Sequence, residues 1–146
     1  MKKLFLYIIG AGLLTTACDM ESSKNGDLDG LWQLSQVDTL ATGSSTDMRA
    51  SQITWAVQGV ILETRLATSY DVQNDIIFRF SHTADSLVLY SPYFSDRHNG
   101  DVRVEDVNQL RPFGVSRLEE HFKVQELSSS TMTLQSQELR LWFRKY

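Results

Sequence analysis

The side chains that could bind a metal are most concentrated around His98, which lies between Asp96 and Asp101. A structural zinc site needs several His or Cys ligands, and a calcium loop needs a longer run of oxygen ligands. This segment offers one histidine and no cysteine. We therefore interpret its acidic residues as turn formers of a solvated loop and predict no metal site.

Catalytic patterns are also missing from the sequence. There is no Gly-x-Ser-x-Gly elbow for a nucleophilic serine and no glycine-rich phosphate loop. The acidic pairs Glu105-Asp106 and Glu119-Glu120 are adjacent in sequence, and adjacent residues of a strand point to opposite faces. They are therefore poorly arranged for acid–base catalysis, and we predict a non-enzymatic protein without a cofactor.

The chain begins with a short hydrophobic leader. Lys2 and Lys3 precede an apolar stretch from Leu4 to Ala17, which is shorter than the roughly 20 residues of a membrane-spanning helix. A positive start, an apolar centre and small residues at the end are typical of a secretory signal peptide.

Cys18 is the only cysteine and directly follows this leader. The small residues Thr16 and Ala17 before it resemble the lipobox of bacterial lipoproteins, although Thr15 stands where leucine is usual. The resemblance implies a signal peptide over residues 1–17 and a lipid, such as a palmitate-containing diacylglycerol, on Cys18. It also implies an outer-membrane location, on either the periplasmic or the cell-surface face.

Composition limits the other partners of the chain. Residues 18–29 are small and polar, which predicts a flexible tether.

The full chain has 14 basic and 18 acidic side chains, and an acidic domain is a poor binder of nucleic acid. A single cysteine cannot form an internal disulfide, so residues 30–146 must depend on a packed core.

From residue 30 onward, apolar and polar residues alternate with a period of two, which is typical of half-buried strands. About eight strands follow one another with short connections, and closing such a sheet removes its two unpaired edges. The sequence therefore predicts an all-β fold, an eight-stranded antiparallel up-and-down barrel. The side chains predicted to point inward are Trp32, Leu34, Ile53, Trp55, Val57, Leu62, Ile76, Phe78, Phe80, Leu87, Leu89, Phe122, Val124, Met132, Leu134, Leu139, Leu141 and Phe143.

The alternation stops in one long connection, residues 92–118. Within it, Asp106 and Gln109 have the spacing of a capping box, which predicts the start of a short helix. Pro112 and Gly114 are expected to end that helix. A connection of this length in a compact barrel usually has a function or is disordered.

Gly30-Leu31-Trp32 resembles the Gly-x-Trp motif that opens the first strand of lipocalins. In that superfamily the tryptophan closes one end of the barrel, and a basic residue of the last strand packs across its ring. The resemblance implies that Trp32 closes this barrel and that Arg140 or Arg144 is the cation over it.

Residues 28–146 as a whole are similar to small lipocalin-like lipoproteins of Bacteroides-type bacteria. The likeness includes the Asp96-Arg97 loop, the segment 132–136 and the segment 141–146. That family has the lipocalin-like fold and no established activity, so it implies no catalytic residue.

Two functions remain open from the sequence. In the first, a lipid-anchored barrel binds a small apolar or amphipathic ligand at its mouth, with residues 92–118 as a lid and with Tyr93, Phe94, Arg97 and His98 near the ligand. In the second, the interior is filled with side chains, and the same connection binds another envelope protein, as an inhibitor or an accessory subunit would.

Overall fold

The computed structural model describes residues 24–67, 75–96, 98, 100 and 102–146. Eight strands form a closed antiparallel barrel in the order β1-β3-β4-β5-β6-β8-β9-β10, and β10 pairs with β1. This confirms the predicted eight-stranded barrel. The strands are β1 Gly30–Thr39, β2 Ser44–Asp47, β3 Ile53–Gln58, β4 Ile61–Leu66, β5 Ile76–His82, β6 Ser86–Phe94, β7 Val102–Arg103, β8 Glu120–Leu127, β9 Thr131–Gln135 and β10 Leu139–Lys145.

Two short strands are added to the barrel. The first half of β1 pairs with β3, and its second half, after a bulge between Leu34 and Gln36, pairs with β2. Strand β7 pairs with the end of β6. Neither strand was predicted, because both are fully exposed and lack the apolar alternation that indicates a half-buried strand.

The barrel interior is filled by the side chains that alternation predicted. Of that set, Val124 and Leu139 are half-buried and the others are buried. At the centre, the ring of Trp55 lies 4.7 Å from that of Phe143 and 5.9 Å from that of Phe122, measured between centroids. Aromatic pairs at these separations contribute stability beyond the area that they bury.

One end of the barrel is closed by the chain that precedes β1. Residues Gly26–Leu28 form a 3-10 turn in which Leu28 is buried, and the indole N–H of Trp32 donates to the Leu28 carbonyl at 2.8 Å. The Lys145 ammonium lies 4.7 Å from the centroid of the Trp32 ring and donates to the Asp27 carbonyl at 2.8 Å. We call this the closed end.

Gly30 makes that closure possible. Its φ is +124°, and a Cβ at this position would lie 3.0 Å from Cε of Lys145. A side chain here would therefore be strained and would displace the lysine from Trp32. This is a physical reason for the glycine of the Gly-x-Trp motif.

The cation over Trp32 is thus Lys145, and the prediction of Arg140 or Arg144 is wrong. Lys145 is the register partner of Trp32, so both side chains lie on the same face of the sheet. The two arginines have the opposite phase. On the outer face, Arg144 donates to Gln33 Oε1 at 2.7 Å and Arg140 donates to Gln135 Oε1 at 2.8 Å.

The prediction of a flexible tether through residue 29 is wrong for its last residues. The Asn25 side chain donates to a carboxylate oxygen of Asp29 and to the Gly59 carbonyl, each at 2.8 Å, and Leu28 is buried. The chain is therefore fixed to the barrel from Asn25 onward. The predicted leader and Cys18 lie outside the described residues.

The contacts of Lys145 at the closed end predict different effects on the free energy of unfolding for two substitutions on β10. Lys145→Met keeps an apolar stem but loses the cation–π contact and the hydrogen bond to Asp27, so unfolding free energy should fall by about 1–2 kcal/mol. Arg140→Met removes two partly exposed hydrogen bonds to Gln135 and should cost less than about 0.5 kcal/mol. Urea denaturation measures both. Equal losses of unfolding free energy in the two variants would contradict the assignment of Lys145 as the residue that packs over Trp32.

Candidate functional site

The opposite end of the barrel, the mouth, is crossed by the segment Val104–Ser116, which we call the plug. Four of its apolar side chains belong to the buried core, namely Val104, Leu110, Phe113 and Val115. The indole N–H of Trp55, a buried residue on β3, donates to the Phe113 carbonyl at 3.1 Å. The plug therefore completes the core from the mouth side.

Local sequence explains the path of the plug. An Asp106 carboxylate oxygen accepts from the Asn108 backbone N–H at 2.9 Å and caps the 3-10 turn Val107–Gln109. A second 3-10 turn, Arg111–Phe113, contains Pro112 near its start. The predicted short helix is therefore two 3-10 turns, and Pro112 lies inside the second turn instead of ending it.

Gly114 ends the second turn, as the sequence predicted. Its φ is +84°, which favours glycine. A Cβ there would lie 2.9 Å from Cδ2 of Leu141, a core residue of β10. The plug backbone can therefore approach β10 closely only because this residue has no side chain.

Glu120, the first residue of β8, fixes the other end of the plug. Its side chain is buried, and Oε2 accepts from the Ser116 backbone N–H at 2.8 Å. Burial raises the pKa of this carboxyl group, whereas the Ser116 N–H and the nearby Arg117 act in the opposite direction. The fold therefore favours the protonated form more than water does.

A cleft of about 310 Å³ lies between the plug and the barrel rim. We call it the mouth cleft. One wall is apolar and includes Met48, Pro112 and Leu139, while Arg111 and Glu138 form a half-exposed ion pair at 3.7 Å on the rim. The residues that line it are Val37, Thr46, Met48, Arg111, Pro112, Gly114, Ser116, Glu138 and Leu139.

Of the predicted ligand residues that the structure describes, Tyr93, Phe94 and His98 do not line this cleft. Tyr93 and Phe94 belong to β6, where Phe94 packs against the core and Tyr93 lies under the Arg103 guanidinium at 5.8 Å. His98 is exposed, and its backbone N–H donates to Asp96 at 2.9 Å, which forms the turn that the sequence predicted. Arg97 lies outside the described residues.

Three of the cleft residues could not be predicted because they belong to segments without alternation. Met48 follows the exposed strand β2, and Arg111 and Ser116 lie within the plug. The spacing of Leu110, Phe113 and Val115 in an otherwise polar segment was a usable signal, since three apolar residues close together suggest burial.

Among the residues that the structure describes, no three His, Cys, Asp or Glu side chains converge where a metal ion could be held. None of the helical segments that the structure describes combines the length and the apolar character required to cross a bilayer.

Comparison with known proteins agrees with the barrel fold. The family model for the lipocalin-like domain matches residues 13–146. The chain belongs to the lipocalin-like domain family. No curated protein matches this lipocalin-like domain significantly.

Two solved structures share the fold of this lipocalin-like domain. A lipocalin-like protein from Bacteroides uniformis is 22% identical, with a TM-score of 0.62, and the match covers 83% of this chain and 100% of that chain. An uncharacterized protein from Bacteroides eggerthii is 21% identical, with a TM-score of 0.59, and the match covers 81% and 98%. At these identities the likeness shows the fold alone.

The buried Glu120 carboxyl predicts a pH-dependent stability effect. Its pKa in the fold is raised above the ordinary value of 4.5, so its contribution to stability is greatest below that value and is lost as pH rises through the raised pKa. Glu120→Gln can still accept from Ser116 without burying a charge. Its unfolding free energy, relative to wild type, should therefore be higher at pH 7.5 than at pH 4.

Glu105→Gln is the matched control, because Glu105 is an exposed acid on the plug. This substitution removes no buried group and should change the unfolding free energy little. If Glu120→Gln destabilised the protein at pH 7.5 as strongly as Glu120→Ala, the buried charge itself would be required and the account of Glu120 would be wrong.

Proposed function

We propose that this lipocalin-like protein is a non-enzymatic binding protein that holds a small amphipathic molecule in the mouth cleft. The observation that carries the proposal is the mouth cleft itself, which has an apolar wall and a charged rim at the open end of the barrel. Small-molecule sites typically combine a mostly apolar lining with a few polar groups that fix orientation.

The size of the cleft supports a small ligand. At about 310 Å³, it is at the lower end of the roughly 300–1,000 Å³ found for small-molecule pockets. An apolar tail would pack on Met48, Pro112 and Leu139. A ligand larger than this would leave part of its surface in water.

The rim supports an anionic head group on that ligand. The Arg111–Glu138 pair is long, and both side chains are about half exposed, so the pair itself stabilises the fold little. A carboxylate, sulfonate or phosphate on the ligand can therefore replace Glu138 beside Arg111 and form a charge-assisted hydrogen bond.

Two fluorescent probes test the cleft and its charge preference. We expect 1-anilinonaphthalene-8-sulfonate, which is anionic, and N-phenyl-1-naphthylamine, which is neutral, to bind the wild-type protein. Met48→Glu should weaken both at least about tenfold, which corresponds to 1.4 kcal/mol. Arg111→Gln should weaken the anionic probe and leave the neutral one unchanged.

Arg79→Gln is the control for the charge effect, since Arg79 is exposed on β5, away from the cleft residues. It should change the affinity of neither probe. Binding that is the same in wild type, Met48→Glu and Arg111→Gln would show that the probes do not occupy this cleft.

A second function is favoured by the filled core. Trp55, Phe122 and Phe143 pack together at the centre of the barrel, and the plug covers them. A filled barrel suits a protein–protein interaction module, such as an inhibitor or an accessory subunit, that presents its outer surface. A folded protein that binds neither probe would favour this alternative.

We further propose that the domain is anchored in the outer membrane by a lipid on Cys18. The support is the leader and lipobox of residues 1–18. The barrel has its own closed core, so the attachment can be separated from the binding site by experiment.

The anchor is tested by mass spectrometry of the N-terminal peptide from protein isolated from membranes. The wild-type chain should begin at Cys18 and carry acyl chains. Cys18→Ala should lose the acyl chains and retain the leader, while the fold of residues 30–146 remains unchanged. An unmodified cysteine in the membrane-bound wild type would contradict the proposal.

A further inference from the structure

We infer that the closed end of the barrel rests on the lipid bilayer, so that the mouth cleft faces away from the membrane. The contact is an apolar patch formed by Leu31, Val60, Ile61 and Tyr146, which we call the closed-end patch. This inference rests on the proposed lipid at Cys18 and adds an orientation to it.

The first support is the place where the chain joins the barrel. Asn25 is fixed at the closed end by its side-chain hydrogen bonds to Gly59 and Asp29. The chain between Cys18 and Asn25 can span at most about 25 Å, even when fully extended. A lipid on Cys18 therefore holds the closed end close to the bilayer surface.

The second support is the exposure of apolar side chains at the same end. Val60 is 60% exposed at the tip of the β3–β4 turn, directly after the Gly59 that Asn25 contacts, and Ile61 is 41% exposed. Leu31 is 43% exposed, and its carbonyl accepts from the Tyr146 backbone N–H at 3.0 Å. Tyr146 itself is 68% exposed.

These four side chains are among the most exposed large hydrophobic residues that the structure describes. Single exposed apolar residues are ordinary on a protein surface. Here, however, they lie at the end that the proposed anchor holds near lipid, and the turn from Gln58 to Ile61 has no charged residue. Shallow insertion of this turn would remove their surface from water.

The charges around the patch favour a bilayer interface. Lys24 is exposed beside Asn25, where an ammonium can approach lipid phosphates, and an exposed tyrosine suits the headgroup level. The exposed acids at this end include Asp27 and, away from β3 and β4, Asp85 at the β5–β6 turn and Glu126 near the end of β8. This distribution favours contact through the rim formed by β1, β3 and β4.

The mouth has a different surface. Its exposed groups include the Asp47–Arg49 and Arg111–Glu138 ion pairs. Placing both pairs against a bilayer would require removing four charges from water, which is costly. The charged rim of the mouth therefore faces solvent, where a ligand can approach the cleft.

Site-specific fluorescence of the complete lipidated protein tests the orientation. Because the only native cysteine would carry the lipid, a single new cysteine can be labelled with the environment-sensitive dye NBD. The test position is Val60→Cys, and the matched control is Ala41→Cys, which is exposed in the β1–β2 turn at the mouth. Both proteins are reconstituted into phosphatidylcholine vesicles and separated from unbound protein by flotation.

We expect both proteins to float with the vesicles. NBD at position 60 should shift to shorter wavelength, gain intensity several-fold and be quenched by spin-labelled lipids, whereas NBD at position 41 should remain water-like. A second variant isolates the patch: with the dye at Leu31→Cys, the added substitution Val60→Asp should reduce the shift while the circular dichroism spectrum stays unchanged.

The possible failures are distinguishable. Flotation with a water-like signal at position 60 overturns the orientation and leaves the anchor intact. Absence of flotation overturns the lipid anchor and this inference with it. An NBD emission shift at position 60 that appears in native membranes but not in pure lipid vesicles overturns the proposed lipid contact, because the patch would then bind a protein.

Discussion

A buried hydrogen bond from the Trp55 indole N–H to the Phe113 carbonyl joins the centre of the barrel to the plug. An indole N–H at the centre of an apolar barrel needs a partner, because a buried donor left unpaired costs roughly 1–3 kcal/mol. The plug backbone supplies that partner and thereby fixes the buried Leu110 and Val115 over the core. This one hydrogen bond thus pairs the buried indole N–H and holds the plug over the mouth.

The two ends of the barrel are therefore closed by different means. At the closed end, Lys145, Trp32 and the carbonyls of Asp27 and Leu28 form a compact set of contacts around a glycine. At the mouth, a separate segment covers the core and leaves a cleft at its edge. The mouth therefore suits binding, and the apolar closed end suits attachment.

The sequence predicted the structure well where the polarity of a side chain indicates which face of a strand it occupies. The period of two predicted the eight barrel strands and the side chains buried inside the barrel, because burial alternates along each strand. The plug could not be predicted in this way, since the burial of Phe113 depends on the shape of the mouth.

The same alternation would have excluded Arg140 and Arg144 as partners of Trp32, because both lie on the outward face of β10, as Trp142 does. Tyr93 and Phe94 were misplaced because β6 continues through Pro92.

Hydrogen exchange of the three tryptophan indole N–H groups, followed by nuclear magnetic resonance and assigned with Trp→Phe variants, tests the plugged barrel most directly. Each indole has an acceptor, but Trp32 and Trp55 are fully buried while Trp142 is 36% exposed. We expect Trp32 and Trp55 to be strongly protected and Trp142 to exchange rapidly. If the Trp55 indole exchanged as fast as that of Trp142, the plug would not close the mouth and the account would be contradicted.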